Sequence, residues 1–375
     1  MKSVKSITHG LQLAGSARWP QLAAIPSVGY SPMPNATSIT ASPRRGLHSR
    51  AIARPRTHNR DAIFATHQAP PGYQAQYTTG AATKVPTIHN IFENVTGTWQ
   101  YIVADLLTST AVIIDPVLDY DPTTQSITTQ SADKLLSFVQ EKGYKIERIL
   151  ETHAHADHLT SSSYLQSRLA QIQGHKPPIG IGKRIEQVQT LFGKRYGLTK
   201  DEYNHVFDKL FDDDETFSIG NLTAKAIHLP GHTPDHLGYQ IGDNVFCGDS
   251  LFHADIGTAR CDFPGGDATD LFQSGRKLLE LPDEVKIWPG HDYPPDGREP
   301  IPWMSVRDQK KLNKHLGDKV SKKEFVGMRN ERDKTLNAPR LLHQSLQVNI
   351  RAGRLPKVEE GFRMLRLPLK VAVEW

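Results

Sequence analysis

Three histidines and an aspartate lie within one six-residue window, at His153, His155, Asp157 and His158. Histidine is the commonest metal ligand, and two histidines one residue apart after a strand can direct both imidazoles at one ion. We expect Asp157 and His158 to begin the next helix and to face a position next to that ion. A solvated polar loop is the alternative, but chance explains this density of histidine poorly. The window therefore predicts a metal centre.

Three further polar residues follow short apolar segments: His232, Asp249 and His291, each directly after a glycine. Glycine lets the backbone turn tightly, and the ends of neighbouring strands meet at one edge of a sheet. Each residue alone is more typical of an ordinary turn. Together with the histidine window, they predict one site at the strand ends.

The elements that must position these residues are short. Strands are expected at 88–92, 98–106, 111–114, 147–150 and 285–288, and helices around 131–143, 159–172, 271–281, 306–316 and 322–336. Strands first, helices between and after them, and a second β-rich half predict an α/β fold. Its two mixed sheets would pack face to face, with helices outside.

The charge is unevenly distributed along the 375 residues, whose formal net charge is +5. Residues 1–60 contain nine Lys and Arg and no Asp or Glu, and apolar residues recur at helical spacing from Val4 to Ala14. This pattern predicts a mitochondrial transit peptide, with a basic arm for an acidic partner as the alternative. Residues 61–86 are expected to be a flexible linker, and residues 87–375 a catalytic domain with a C-terminal helical extension.

The composition excludes several other classes. No apolar run is long enough to cross a membrane, so no membrane partner is expected. Without the leader the chain is mildly acidic, so the basic pI of the whole chain does not indicate nucleic-acid binding. Two cysteines, Cys247 and Cys261, are too few for a disulfide scaffold. A homodimer is one assembly that the sequence leaves open.

The order of these motifs resembles that of the metallo-β-lactamase superfamily, whose fold is an αββα sandwich. The resemblance covers about residues 88–293. The stretches 248–252, 260–263 and 349–353 are similar to the persulfide dioxygenases, also called sulfur dioxygenases, more than to the glyoxalase II hydrolases.

The resemblance implies one Fe(II) per chain, held by His153, His232 and Asp249. Two imidazoles and a carboxylate on one face of the iron leave positions open for substrate and O₂. The implied reaction is oxidation of glutathione persulfide by O₂ to sulfite and glutathione, as part of sulfide oxidation in the mitochondrial matrix.

The resemblance also assigns roles around the iron. His155 would hydrogen-bond a metal-bound water or the substrate, and Asp157 would orient a ligand or polarise that water. Arg260 and Tyr293 would bind glutathione, since Arg can hold a carboxylate with two hydrogen bonds. An ordinary surface ion pair is the alternative for Arg260.

A dinuclear hydrolase of glutathione thioesters, like glyoxalase II, is the alternative function. Its second metal would use His155, Asp157, His158 and His291, and the two metals would be zinc or mixed iron and zinc. A thiol or sulfide sensor without catalysis is a third hypothesis. The chain also departs from the dioxygenase pattern, with Thr258 in place of a cysteine and an insertion at 294–304.

Overall fold

The computed structural model of the protein describes residues 85–369 and 371–373. The predicted leader, residues 1–60, and most of the predicted linker, residues 61–86, lie outside the described residues, and both stay predictions. The first described strand begins at Thr87.

The secondary structure alternates between short strands and short helices. The strands are β1 (Thr87–Glu93), β2 (Thr98–Asp105), β3 (Thr110–Ile114), β4 (Val117–Asp121), β5 (Ser126–Thr128), β6 (Lys145–Leu150), β7 (Leu159–Thr160), β8 (Ile179–Gly182), β9 (Lys209–Phe211), β10 (Thr216–Ile219), β11 (Leu222–His228), β12 (Leu237–Ile241), β13 (Asn244–Gly248), β14 (Lys286–Pro289), β15 (Met304–Ser305), β16 (Val358–Glu359) and β17 (Phe362–Arg363). The helices are α1 (Gln130–Lys142), α2 (Ser162–Gln173), α3 (Ile185–Arg195), α4 (Lys200–Tyr203), α5 (Ala268–Leu279), α6 (Val306–Leu312), α7 (Lys322–Asp333) and α8 (Leu342–Asn349).

Twelve of the strands form two six-stranded mixed sheets, with orders β1-β2-β3-β6-β8-β9 and β10-β11-β12-β13-β14-β15. The others form a small sheet, β5-β4-β7, and the pair β16-β17. In the first sheet, β3, β6, β8 and β9 are parallel neighbours, whereas in the second only β13 and β14 pair in parallel. Parallel neighbours end at the same edge, so residues that follow β13 and β14 lie side by side.

Strand β2 shows how the layers form, because it is buried along its whole length. Trp99, Tyr101 and Val103 face the second sheet, whereas Ile102 and Ala104 face the cluster that includes α1, α2 and α3. Side chains of a strand alternate between faces, so a strand covered on both sides is apolar on both. A third cluster joins the second sheet to α5, α6 and α7. The layers confirm the predicted αββα sandwich.

All five predicted helices are present with bounds shifted by up to four residues, and two of the shifts have a clear structural cause. The helix expected at 159–172 begins at Ser162, because Leu159 and Thr160 pair with β4 as β7. Asp157 and His158 therefore lie in the loop before β7, and the prediction that they begin a helix is wrong. The helix expected at 306–316 ends at Leu312, because Asn313 leaves the helical conformation and bonds the carbonyl of Gly257.

No helix within the described part of the chain is long and apolar enough to cross a membrane.

Candidate metal centre

The predicted site residues meet at one end of the sandwich. His153 follows β6 of the first sheet, whereas His232, Asp249 and His291 follow β11, β13 and β14 of the second. Glycine is needed where the segments that follow β13 and β14 approach each other, because a Cβ on Gly290 would lie 2.6 Å from Asp249 Oδ1. The structure therefore brings together residues that are far apart in sequence.

His153, His232 and Asp249 form the first of two clusters of ligand atoms, and all three are buried. Asp249 Oδ2 lies 3.7 Å from His232 Nε2 and 4.0 Å from His153 Nε2. Metal bonds of about 2.0–2.2 Å place two ligands of one ion about 3–4 Å apart, so these separations fit a shared ion.

Each of these imidazoles is fixed by its other nitrogen. His232 Nδ1 donates to the carbonyl of Arg260 at 2.7 Å. His153 Nδ1 lies 2.9 Å from Thr152 Oγ1, whose own hydrogen goes to Asp115 Oδ2, so the ring donates. Such hydrogen bonds select the tautomer that leaves Nε2 free to bind metal. Burial lowers the pKa of His153 well below its ordinary value, which keeps the ring in the neutral form that metals require.

The second cluster consists of His155, Asp157, His158 and His291. His291 Nε2 lies 3.1 Å from Asp157 Oδ2 and 3.6 Å from Asp249 Oδ1. His291 Nδ1 lies 3.3 Å from the carbonyl oxygen of Gly97, so it is the nitrogen that carries the proton. The two clusters thus face different oxygens of one carboxylate, that of Asp249.

Several buried polar atoms of the two clusters have no hydrogen-bond partner among the described residues. They are His153 Nε2, His155 Nδ1, Asp157 Oδ2, His158 Nε2, Asp249 Oδ1 and His291 Nε2. A buried polar atom without a partner costs about 1–3 kcal/mol, so six at one place are expensive unless a ligand satisfies them. Nitrogen and carboxylate donors suit zinc and iron, so the residues present fit bound metal.

His155 differs from the other histidines because its Nε2 lies between two buried carboxylates, 3.1 Å from Asp115 Oδ1 and 3.4 Å from Glu151 Oε2. Burial lowers the pKa of His155, but Asp115 and Glu151 raise it by more, so that it ends well above its ordinary value. Burial raises the pKa of Glu151, which the Thr160 and Ser162 hydroxyls also contact. In the absence of metal His155 is therefore held in an ion pair through Nε2, while its Nδ1 has no partner among the described residues and is the atom it can offer to the second cluster.

Asn349 braces the histidine window from the C-terminal side. Its side-chain nitrogen donates to the carbonyls of His155 and His158 at 2.8 Å each, and its Oδ1 accepts from the Thr160 amide at 2.9 Å. This residue begins the 349–353 stretch, which is similar to the persulfide dioxygenases. Its side chain thus connects a distant segment to the metal ligands.

Replacing Asn349 by alanine should lower the free energy of unfolding by about 2 kcal/mol, because three buried backbone groups lose their partner. Chemical denaturation measures this change, and dialysis against a chelator should also remove metal faster. Asn330→Ala, on the exposed face of α7, is the control and should change neither. A stability loss below about 0.5 kcal/mol would contradict the bracing role.

The two residues predicted to bind glutathione lie in different settings. Tyr293 is 48% exposed and stacks on the His291 ring, with centroids 5.5 Å apart. The guanidinium of Arg260 is already bound to both oxygens of Asp262 and to the carbonyl of Asn337. The backbone of Arg260, rather than its side chain, contacts the metal ligand His232. Its role with glutathione stays a prediction.

Burial raises the pKa of both Cys247 and Cys261, to about 12 for Cys247. This environment is typical of structural cysteines and not of reactive thiols.

Sequence reasoning missed Asp115, Glu151 and His236. Asp115 follows an apolar strand, as the ligands do, so the same rule could have found it. His236 Nε2 accepts from the Asp249 amide at 2.9 Å, and its ring stacks on that of His153 with centroids 4.7 Å apart. No local pattern separates it from other histidines near a turn.

Comparison with known proteins places the chain in a family. A family model described as the metallo-beta-lactamase superfamily matches residues 94–291. Glyoxylase B2 of Dictyostelium discoideum is 44% identical, over 74% of this chain and 94% of that protein. The human mitochondrial persulfide dioxygenase ETHE1 is 27% identical, over 71% of this chain and 88% of that protein. A crystal structure of ETHE1 from Myxococcus xanthus is 27% identical and matches with a TM-score of 0.57, over 72% of this chain and all of that one.

Proposed function

This chain belongs to the metallo-β-lactamase superfamily, and we propose that within it the protein is a dinuclear metallohydrolase that cleaves thioesters of glutathione, as glyoxalase II does. The observation that carries the proposal is the position of Asp249. Its Oδ2 faces His232 Nε2 at 3.7 Å and its Oδ1 faces His291 Nε2 at 3.6 Å. One carboxylate can therefore donate to two metal ions, one in each cluster. The name of the relative at 44% identity, glyoxylase B2, also favours this reaction over oxygenation.

In this proposal His153, His232 and Asp249 hold the first metal. The second is held by the remaining cluster together with Asp249, and that cluster consists of His155, Asp157, His158 and His291. Bound metal ions would lower the pKa of a bound water and polarise the thioester carbonyl. Hydrolysis consumes one water and releases a carboxylate, the glutathione thiol and a proton.

The surrounding residues hold the metal-ligand side chains in place and shield them from bulk water. The hydrogen bonds to the Nδ1 atoms keep the ligand rings from rotating, so little reorganisation accompanies the reaction. Asp249 and all five ligand histidines are buried, so bulk water is kept from most of their surface.

A cavity of about 370 Å³ lies beside His158, and we assign it to the glutathione part of the substrate. The turn at Thr96, the strand β4 and the side chain of Arg340 line it. Arg340 is exposed and makes no ion pair with any described residue. A free guanidinium beside the cavity can bind a glutathione carboxylate. The ring of Tyr293 lies against Gly97, next to Thr96 of the cavity wall, so it can contact the same substrate.

Oxidation of glutathione persulfide by one Fe(II) is the second candidate, and a specific observation favours it. The first cluster lacks a third histidine, because Asp115 and Glu151 hold His155 Nε2. Two imidazoles and one carboxylate are the ligand set of Fe(II) oxygenases. The relative named persulfide dioxygenase is 27% identical. That reaction converts one persulfide anion, one O₂ and one water into glutathione, sulfite and a proton.

Metal analysis and two assays separate the candidates. The hydrolase proposal predicts two metal ions per chain and cleavage of S-lactoylglutathione at the same rate with and without oxygen. The dioxygenase predicts one iron per chain and oxygen uptake that requires glutathione persulfide. One iron with persulfide-dependent oxygen uptake and no thioester cleavage would refute the hydrolase.

The mitochondrial matrix is the proposed location, resting on the composition of residues 1–60. Import of the full chain into isolated mitochondria, with removal of the leader, would support it. Retention of full length outside the organelle would refute it.

A further inference from the structure

The predicted insertion at 294–304 is tied to the metal centre by one arginine. Arg298 Nη2 and Nη1 donate to Asp292 Oδ1 and Oδ2 at 2.6 and 2.7 Å. The Asp292 carboxylate also accepts a hydrogen bond from the Ile301 amide at 2.8 Å, and Asp292 is completely buried. The segment thus closes on a buried charge that directly follows His291.

The same guanidinium also holds a second carboxylate. Arg298 Nε and Nη2 lie 2.8 and 3.2 Å from the two oxygens of Asp255, in the loop after β13. Asp255 Oδ1 in turn contacts His253 Nδ1 at 2.6 Å. A planar fork of donors can connect two carboxylates in fixed geometry, which a single ammonium cannot do.

Asp292 lies between the two residues whose orientation matters at the site. Its amide donates to the carbonyl of Gly97 at 3.0 Å, so its backbone is held from the other side as well. His291 directs Nε2 at Asp157 Oδ2, 3.1 Å away, and Tyr293 stacks on the His291 ring at an interplanar angle of 8°. A displacement of Asp292 would therefore move a candidate metal ligand and the exposed tyrosine together.

We propose that Arg298 is a positioning residue, which holds His291 and Tyr293 in place through Asp292. Only the expected effect on the second metal depends on the proposed dinuclear function. Its mechanism is geometric: the fork fixes the backbone after β14, and this backbone sets the direction of the His291 ring. The 294–304 segment is then part of the site and not a neutral surface insertion.

The competing explanation is that Arg298 only compensates the buried charge of Asp292. Two variants distinguish this explanation from the positioning role. Arg298→Ala removes both charge and fork, whereas Arg298→Lys keeps a positive charge without the fork. Arg276→Ala is the matched control, because Arg276 is similarly exposed, at 24% against 18%, and binds the carbonyls of Gly317 and Val320 away from the site.

The experiment measures metal per chain after dialysis against a graded chelator, and glutathione binding by calorimetry, on the full chain. We expect Arg298→Ala and Arg298→Lys to bind the second metal about tenfold or more weakly, with the first retained, and to bind glutathione several-fold more weakly. Arg276→Ala should behave as the unchanged protein. Arg298→Lys with normal metal and glutathione binding would overturn the proposal in favour of charge compensation, even if the alanine variant does not fold.

Failure of the proposed function has a different signature. If the unchanged protein holds only one metal, the dinuclear hydrolase is refuted, and glutathione binding becomes the readout. Weaker binding in Arg298→Lys, but not in Arg276→Ala, would then still support the positioning role, whereas equal binding would overturn it.

Discussion

Replacing Asp249 by alanine is expected to remove both metal ions and to lower turnover on the order of 10³-fold or more. Asp249 is the ligand whose two oxygens face the two clusters, 3.7 Å from His232 Nε2 and 3.6 Å from His291 Nε2. Its loss leaves only two histidines in the first cluster. Metal analysis of the purified variant and the thioester assay measure the two effects.

The control is Asp283→Ala, because Asp283 is a surface carboxylate paired with Lys310 at 2.8 Å. This variant should retain the metal content and turnover of the unchanged protein. Asp249→Ala protein that keeps two metal ions, or full activity, would show that the ligand assignment is wrong. Retention of one metal would mean that the clusters do not share this carboxylate.

In the metal-free protein, replacing Asp115 by asparagine is expected to lower the free energy of unfolding by about 3–5 kcal/mol, the usual cost of removing one partner of a buried ion pair. Asp115 is 1% exposed, and its Oδ1 lies 3.1 Å from His155 Nε2. It also accepts hydrogen bonds from the amide and hydroxyl of Thr152. The variant leaves the His155 charge with Glu151 alone. Denaturant titration measures the loss.

Asp119→Asn provides the comparison, because Asp119 lies on the adjoining strand β4 and bonds Ser131 near the surface. Its stability should change by about 1 kcal/mol or less. If Asp115→Asn lost no more than Asp119→Asn, His155 would not be charged in the folded protein.

The stability of the unchanged protein should depend on pH through the same pair. Burial raises the pKa of Asp115, but His155 lowers it by more, so the folded value lies below the ordinary 3.8. This contribution is complete above the unfolded pKa and is lost as the pH falls through the folded pKa. The pKa of His155 is raised above 6.5, so its contribution is complete below 6.5 and is lost as the pH rises through the folded pKa. Asp115→Asn should weaken the dependence of the free energy of unfolding on pH at both the acidic and the basic end.

The αββα layers were predictable from the sequence because hydrophobic patterning is local information. Strands β2 and β3 are apolar runs, and their burial on both faces follows from that composition. The site residues at strand ends were also predictable, since a polar residue after an apolar strand and a glycine is visible in the chain. The helix expected to begin at Asp157 was wrong, because the pairing of β7 with β4 is a contact between distant segments.

The chain by itself determined which residue types meet: five histidines and two aspartates, in an order that resembles one superfamily and after short apolar strands. Only the tertiary structure decided how they are used. The withdrawal of His155 toward Asp115 and Glu151, the division of Asp249 between two clusters and the fork of Arg298 on Asp292 depend on side-chain directions across the two sheets. His155 is directed by Asp115, 40 residues earlier, and the guanidinium of Arg298 is also held by Asp255, 43 residues earlier. Sequence spacing constrains only near neighbours along the chain.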